Sequence, residues 1–247
     1  MKVITMTAYR RPQYTREVLN ALAQCDGIGD WTLLPNVEPG NAEVIAAFRD
    51  FNGCECRLVV NERRLGLNRN TLAALMRAFH LKADHIVHLE DDTVPSPDAL
   101  RYFEWGIDYL VEHDPKHVIL LVSGYNKPKS EPTPEQNHHC GTRPIWTPWG
   151  WGVDRKRLVW LMTNWCTRNP KCFTCHFRSQ YQRTRKELFP LLSRIQNIGY
   201  EMGENNRTAD WYRAHHRTPW VATPIHLSGI WTVATMTKEK NDDLRTA

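Results

Sequence analysis

Three adjacent carboxylates, Glu90, Asp91 and Asp92, follow an apolar run that begins at Ile86. Carboxylates this close repel one another unless a positive charge lies among them. In open α/β sheets, ligands bind outside the carboxyl ends of the strands. Carboxylate oxygens at such a strand end suit Mg²⁺ or Mn²⁺, which in turn can clamp a diphosphate. A solvated acidic turn is the alternative interpretation of the same three residues.

The segments around these carboxylates alternate between strand and helix patterns. Predicted strands cover 2–7, 31–34, 57–60, 86–89 and 118–123. Predicted helices begin after Pro12, at Asn41, near 68 and at Ser96, where Pro97 would occupy the first helical position. Pro35 is expected to end the second strand. Repeated strand–helix units predict a mostly parallel sheet with right-handed crossovers.

The second half of the chain is less regular. A polar, proline-rich stretch at 127–144 predicts a loop, and IWTPWGWGVDRKRLVWL predicts a tryptophan–glycine hairpin followed by a short helix. The whole chain has 247 residues and 41% hydrophobic content, which is enough to bury one sizeable core.

Composition indicates a soluble protein with an anionic ligand. No run approaches the roughly 20 apolar residues of a membrane span, and the first residues lack the apolar centre of a signal peptide. Seven cysteines, an odd number, favour a reducing compartment. We therefore expect a cytoplasmic protein, in the host cytoplasm if the chain is viral. The net charge is +5 and arginine outnumbers lysine, which favours a nucleotide or a nucleic acid as ligand.

Three segments in order, VITMTAYRRPQYTREVLNAL, NERRLGLNRNTLAALMRAF and IVHLEDDTVPSPDAL, resemble the N-terminal half of GT-A-fold glycosyltransferases. The similarity is to family 2 enzymes and to N-acetylglucosaminyltransferase I. It implies a GT-A-like (Rossmann-like) α/β fold, with a mostly parallel sheet flanked by helices and a smaller C-terminal acceptor-side region. Residues 1–125 would form the nucleotide-sugar-binding half, and 126–247 the acceptor-binding and site-completing half of the same domain.

The resemblance also implies a function and a set of site residues. A metal-dependent enzyme would move a hexosyl or N-acetylhexosaminyl group from a nucleoside-diphosphate sugar, UDP-linked, to a hydroxyl acceptor. Mn²⁺ or Mg²⁺ would be held by Asp92 and His226. A carboxylate after the second strand, Glu38, would read a uracil, with Asn36 as the other candidate. The implied nucleotide and donor contacts are Thr7, Ala8, Tyr9, Arg10, Glu38, Arg63, Gly66, Asn70, Glu90, Asp91 and Trp151.

Two of these interpretations have structural alternatives. The NERRLGLNRN segment is also the pattern of a simple helix cap. Trp149 and Trp151 could stack on a sugar or a nucleobase, or could belong to the hydrophobic core.

The general base is a separate problem, because an inverting enzyme needs a carboxylate to accept the acceptor's proton. The related enzymes place it in the region that here reads RNPKCFTCHFRSQYQ, which contains no acidic residue. Glu204 is the preferred candidate, with Glu201 and His176 as alternatives. Cys166, Cys172 and Cys175, with His176, could instead hold a structural Zn²⁺ or remain buried thiols. If they hold zinc, His176 cannot also be the base.

The acceptor is open between a saccharide and DNA. HFRSQYQRTRKELF interleaves arginine and aromatic residues, a pattern that could follow a phosphate backbone or form a solvated basic helix. A hydroxylated DNA base, as in phage-type DNA glycosyltransferases, is therefore the alternative acceptor. Two other classes remain: a nucleotidyltransferase, disfavoured by the glycine-free TAYRRPQYT loop, and a non-catalytic nucleic-acid-binding module, which leaves the carboxylates unexplained.

Overall fold

A central sheet carries helices on both faces. The computed structural model describes residues 1–127, 133, 136–144, 146–167, 185–199 and 231–233. The helices are α1 Pro12–Ala23, α2 Ala42–Arg49, α3 Leu67–His80, α4 Ala99–His113 and α5 Arg155–Thr163. The strands are β1 Lys2–Ala8, β2 Trp31–Val37, β3 Glu55–Cys56, β4 Val59–Val60, β5 His85–Glu90, β6 Thr93–Pro95, β7 Ile119–Ser123, β8 His139–Arg143, β9 Trp151–Asp154, β10 Lys186–Pro190, β11 Ile195–Asn197 and β12 Thr232–Val233.

The described strands form one ten-stranded sheet in the order β12-β8-β10-β7-β9-β5-β1-β2-β3, with β4 also paired to β2. Neighbours β5, β1, β2 and β3 are parallel, and β9 lies antiparallel between β5 and β7. The remaining strands, β6 and β11, form a separate antiparallel pair. This arrangement confirms the predicted mostly parallel α/β sheet flanked by helices. Strands from both halves of the chain join the same sheet.

Alternating side chains of the strands build a core on each face of the sheet. In β1, Ile4 packs with α1, α2 and α4, whereas its neighbour Val3 packs with α3 and α5. Both side chains are fully buried. Successive side chains of β1 thus point to opposite faces of the sheet, and the helices form one layer on each face, as expected for strands covered on both faces.

β2 continues through Pro35, which was expected to end it. On the outer side of β2, Leu33 and Val37 accept main-chain hydrogen bonds from Arg57 and Asn61. Pro35 lies two residues from Leu33 and two from Val37, so its backbone nitrogen faces the same side of β2. That position falls in the gap between β3 and β4. The N–H that proline lacks is not needed there, because no ladder bond falls at that position.

α4 begins at Ala99, with Asp98 as its N-cap residue, so the predicted start at Pro97 is wrong. The Ser96 hydroxyl donates to one Asp98 oxygen at 2.6 Å. The other Asp98 oxygen accepts from Arg194 at 2.6 Å. Ser96 therefore does not cap the helix with its side chain, because its hydroxyl is committed to a buried carboxylate.

The predicted tryptophan–glycine hairpin is also wrong. Trp151 is the first residue of β9 and pairs with His88 of β5 and with Ser123 of β7. β9 therefore does not form a hairpin with a strand next to it in the sequence. The short helix predicted after it is confirmed as α5, whose first turn is capped by the Asp154 carboxylate. None of the described helices is long and apolar enough to cross a membrane, and the five described cysteines are free thiols.

Candidate active site

The carboxyl ends of three parallel strands lie side by side. Thr7 of β1 is in register with Asn36 of β2 on one side and with Glu90 of β5 on the other. The segments that leave these strands, 8–11, 37–38 and 91–92, therefore start from one edge of the sheet. This is the edge at which open α/β sheets bind their ligands.

The positive charge that the sequence required among the carboxylates is, in this structure, Arg11. Its guanidinium makes a two-nitrogen contact with Asp91 and lies 2.7 Å from Asp92 Oδ2 through Nη1. Arg11 lies three residues after the end of β1 and immediately precedes Pro12, the first residue of α1. From the sequence, a divalent cation was expected in that place and Arg10 was assigned to the nucleotide, so the role of Arg11 was missed. Its place between the end of β1 and the Pro12 helix start was the available signal.

Burial and mutual repulsion make this an electrostatically costly cluster. Burial, followed by the charges of Asp92 and Asp91, raises the pKa of Glu90. Burial also raises the pKa of Asp92, with Asp91 adding to it and Arg11 opposing it. For Arg11, burial lowers the pKa, but the three carboxylates outweigh that effect and raise it. One guanidinium thus neutralises only part of the negative charge.

The donor set fits a hard divalent cation. Asp92 is 5% exposed, and its Oδ1 atom is buried with no hydrogen-bond partner within the described ranges. Over those ranges, no group of three or more His, Cys, Asp and Glu side chains is arranged to hold a metal. Asp92 is thus the candidate protein ligand that the described ranges offer. Mg²⁺ is commonly bound through one or two carboxylates plus substrate phosphates.

The segment 195–199 packs directly on Asp92. The Ile198 N–H donates to the Asp92 carbonyl at 2.8 Å. A Cβ atom at Gly199 would lie 1.8 Å from Asp92 Oδ2, so only glycine fits there without displacing the carboxylate. β11 also pairs with β6, which follows the carboxylates. The backbone of this segment thus fixes the position of Asp92, a role that sequence reasoning did not assign to it.

Glu38 fixes the loop that leads into α3. It is 3% exposed and accepts hydrogen bonds from the N–H groups of Leu65 and Gly66 and from the Asn61 amide. Gly66 has a φ of 78°, a conformation that favours glycine. The Asn70 amide is also bound within the protein, to Asn61 and to the Asn36 carbonyl. Recognition of a uracil by Glu38, and contact of Gly66 or Asn70 with a nucleotide, stay predictions.

A basic and aromatic rim borders the end of β1. The Arg64 guanidinium lies 4.7 Å from the Tyr9 ring centre, and that of Arg10 lies 5.6 Å away. Arg10, Arg63 and Arg64 are exposed, whereas Thr7 and Ala8 are buried. Exposed guanidinium groups beside an aromatic ring are suited to a nucleotide's phosphates and base.

Trp151 lies in the core and does not face a ligand site. It is fully buried, with ring centres 5.2 Å from His88 and 5.5 Å from Trp146. The expectation that Trp151 stacks on a sugar is therefore wrong. Trp149 is only partly buried and packs edge-to-face on Tyr125, 4.8 Å between centres.

Several predicted site residues lie outside the described part of the chain. These are His176, Glu201, Glu204 and His226, together with Cys172 and Cys175 of the predicted zinc site. Cys166, the third of those cysteines, is a described free thiol. Its carbonyl accepts a hydrogen bond from the Asn68 amide at 2.7 Å, which ties the segment after α5 to α3.

Comparison with known proteins identifies the fold. No protein-family profile and no curated protein matches the chain. Among solved structures, the mannosyltransferase PcManGT from Pyrobaculum calidifontis, in complex with GDP-Man and Mn²⁺, matches with TM-score 0.60 and 16% identity, over 87% of this chain and 61% of that one. Residues 1–349 of TarS from S. aureus, in complex with UDP-GlcNAc, match with TM-score 0.53 and 14% identity, over 86% and 64%.

This chain therefore spans about three fifths of the length of those structures. At such low identity the match concerns the fold. Both matched structures contain a nucleotide sugar. In this chain, the mostly parallel sheet and the position of the carboxylates after a strand agree with the expectation from the sequence. The chain has a GT-A-like glycosyltransferase fold.

Proposed function

We propose that this protein is a metal-dependent glycosyltransferase that moves a sugar from a nucleoside-diphosphate sugar, UDP-linked, to a hydroxyl acceptor. The observation that carries the proposal is the buried Asp92 carboxylate, which has one oxygen without a partner among the described residues. It lies two residues after the end of β5, at the edge of the sheet where β1 ends between β5 and β2. A buried carboxylate oxygen left unpaired is costly unless a cation or a donor completes it.

The structural neighbours support the same chemistry. PcManGT was solved with GDP-Man and Mn²⁺, and TarS with UDP and with UDP-GlcNAc. Within a shared fold, function has to be argued from the site. In this chain the site combines a cation-binding carboxylate with an exposed basic rim, which together suit a diphosphate.

Each group would have a defined task. Asp92, with His226 as the proposed second ligand, would hold Mn²⁺ or Mg²⁺, which when bound stabilises the charge that develops on the departing diphosphate. The segment from Thr7 to Arg10 would bind the base and ribose, with Arg10 near the phosphates, and Arg63 would wrap around the nucleotide. Glu204 would accept the proton of the attacking hydroxyl, with Glu201 and His176 as the alternatives.

A thermal-shift panel tests the proposal. UDP-glucose, UDP-GlcNAc and GDP-mannose would each be added with Mn²⁺, with Mg²⁺ and with EDTA. A ligand at 100 times its Kd adds about 2.7 kcal/mol to the free energy of unfolding, or about 5–10 °C in Tm for a chain of this size. We expect one donor to give that shift only with metal.

The matched variants are Asp92→Asn and Asp108→Asn. Asp108 is an exposed carboxylate of α4 that pairs with His85, so its removal should leave the donor-induced shift unchanged, whereas Asp92→Asn should abolish it. If the donors shift the Tm as much in EDTA as with metal, or if Asp92→Asn responds like the wild type, the proposed role of the metal is wrong.

A further inference from the structure

Arg11 pairs with two of the carboxylates at which the proposed cation would bind. Its guanidinium contacts Asp91 and Asp92 at the same time. The Arg11 side chain is 14% exposed, compared with 6% for Asp91 and 8% for Asp92. The guanidinium thus covers two carboxylates that lie slightly deeper in the protein.

The backbone of Arg11 is fixed, whereas its side chain is held by the carboxylates and one ring. The Arg11 carbonyl accepts from both the N–H and the hydroxyl of Thr15, each at 2.9 Å. The guanidinium also lies 5.6 Å from the Tyr14 ring centre. A long side chain on a fixed helix start can change partners without moving the fold.

The charge balance leaves the cluster incomplete. Glu90, Asp91 and Asp92 are three potential negative charges against the one charge of Arg11, and Asp92 Oδ1 has no partner among the described residues. Arg11 and a divalent cation therefore have overlapping partners. Two cations held within a few ångströms also repel each other.

We propose that Arg11 is the resident counter-ion of this carboxylate cluster, and that it competes with the divalent cation for Asp91 and Asp92. This inference rests on the proposed metal-dependent function. When the cation binds, Arg11 gives up at least its Asp92 contact, and its guanidinium becomes available to an anion. A diphosphate is the anion that suits it, because guanidinium groups bind phosphate oxygens in a forked geometry.

This exchange makes metal and nucleotide binding mutually supportive. The cation alone must displace an arginine, so it binds weakly. A nucleoside diphosphate that receives the displaced guanidinium recovers the lost ion pair. By linkage, each ligand then raises the affinity for the other by the same factor.

The test is direct titration of Mn²⁺, followed by the electron paramagnetic resonance signal of the free ion, without nucleotide. Arg11→Gln removes the competing charge, and its Mn²⁺ affinity should rise by at least about tenfold relative to wild type, since a unit charge at ion-pair distance is worth more than one factor of ten in affinity near a protein surface. Arg11→Lys, which keeps the charge but loses the fork, should fall between the two.

Arg16→Gln is the matched control. Arg16 lies on the same helix, is about half exposed and pairs with Glu43 rather than with the cluster. Its loss should leave Mn²⁺ affinity unchanged. A second titration adds UDP: it should raise Mn²⁺ affinity strongly in the wild type and much less in Arg11→Gln.

The outcomes separate this inference from the function on which it rests. Equal or weaker Mn²⁺ binding by both Arg11 variants, with UDP still raising Mn²⁺ affinity in the wild type, overturns the role of Arg11 and leaves the metal-dependent function standing. A wild-type protein that binds no Mn²⁺ even with UDP overturns the function itself. If Arg11→Gln does not fold, the comparison of Arg11→Lys with wild type decides: unchanged or lower affinity refutes the competition.

Discussion

Replacing Arg194 by methionine should destabilise the protein far more than removing a surface arginine. Arg194 and Asp98 are both fully buried, and Arg194 Nε donates to Asp98 Oδ2 at 2.6 Å. The other guanidinium nitrogens donate to the carbonyls of Leu192 and Asn137 at 2.6 and 2.7 Å. This pair joins the start of α4 to the segment that packs on Asp92, so it holds the candidate site together.

The expected cost follows from what the substitution leaves behind. Removing one partner of a buried ion pair costs about 3–5 kcal/mol, because the other charge stays buried without compensation. The two carbonyls also lose their donors. For comparison, the Arg16–Glu43 pair is mostly exposed, with side chains 48% and 67% accessible, and such pairs are worth at most about 1 kcal/mol.

Urea unfolding followed by tryptophan fluorescence measures both free energies. Arg194→Met should lower the free energy of unfolding by about 3–5 kcal/mol, and Arg16→Met by no more than about 1 kcal/mol. Adding Asp98→Asn to Arg194→Met should recover part of the loss, giving a coupling energy of at least about 2 kcal/mol. A cost below about 1 kcal/mol for Arg194→Met would show that Asp98 is not held as a buried charge.

Two further predictions concern residues on either side of Asp92. Gly199→Ala should weaken metal-dependent UDP binding by at least about tenfold, because its Cβ would lie 1.8 Å from Asp92 Oδ2. Gly29→Ala, which meets nothing within 4 Å, is the control, and equal affinities for the two variants in calorimetry would refute the packing argument. In the folded protein, burial lowers the pKa of His88 from 6.5 to about 3. As the pH falls below 6.5, His88 therefore takes up a proton in the unfolded chain but not in the folded one, and the free energy of unfolding decreases. The stability of wild type minus that of His88→Leu should therefore fall by about 2 kcal/mol between pH 7.5 and pH 5, and a difference that stays constant in urea unfolding at the two pH values would contradict this.

The fold followed from local patterns wherever local interactions decide the structure. The bounds of β1 and β5 and the starts of α1 and α3 were predicted within about two residues, because each has a continuous periodic pattern that begins at turn or cap residues. The cap of α2 was also predicted, and the Asn41 side chain accepts from the Val44 N–H at 3.0 Å. These features depend on residues a few positions apart, which a sequence displays directly.

The errors arose where distant residues decide the structure. Ser96 was predicted to cap a helix, but its hydroxyl serves Asp98, which pairs with Arg194, 96 residues away. Trp151 was expected to stack on a ligand, but it is the first residue of β9. That strand lies between β5 and β7, which come much earlier in the sequence. Local preference is a weak guide when tertiary contacts compete with it.

The site was predicted in part for the same reason. The three carboxylates could be recognised in the sequence by their charge and by their place after a predicted strand. Their partner Arg11 lies 80 residues away, and only the parallel pairing of β1 with β5 brings the two together. Gly199 likewise reaches Asp92 only through the pairing of β11 with β6. Single residues in a short motif cannot reveal such contacts.

A calorimetric titration of UDP tests the central claim most directly. The protein would be titrated in Mn²⁺ and in EDTA, as wild type and as Asp92→Asn. The account predicts that wild type binds UDP at least about tenfold more tightly with Mn²⁺, one factor of ten being about 1.4 kcal/mol, and that Asp92→Asn loses this difference. UDP affinity that is the same in Mn²⁺ and EDTA, or an undiminished metal effect in Asp92→Asn, would contradict a metal-dependent nucleotide-sugar site at Asp92.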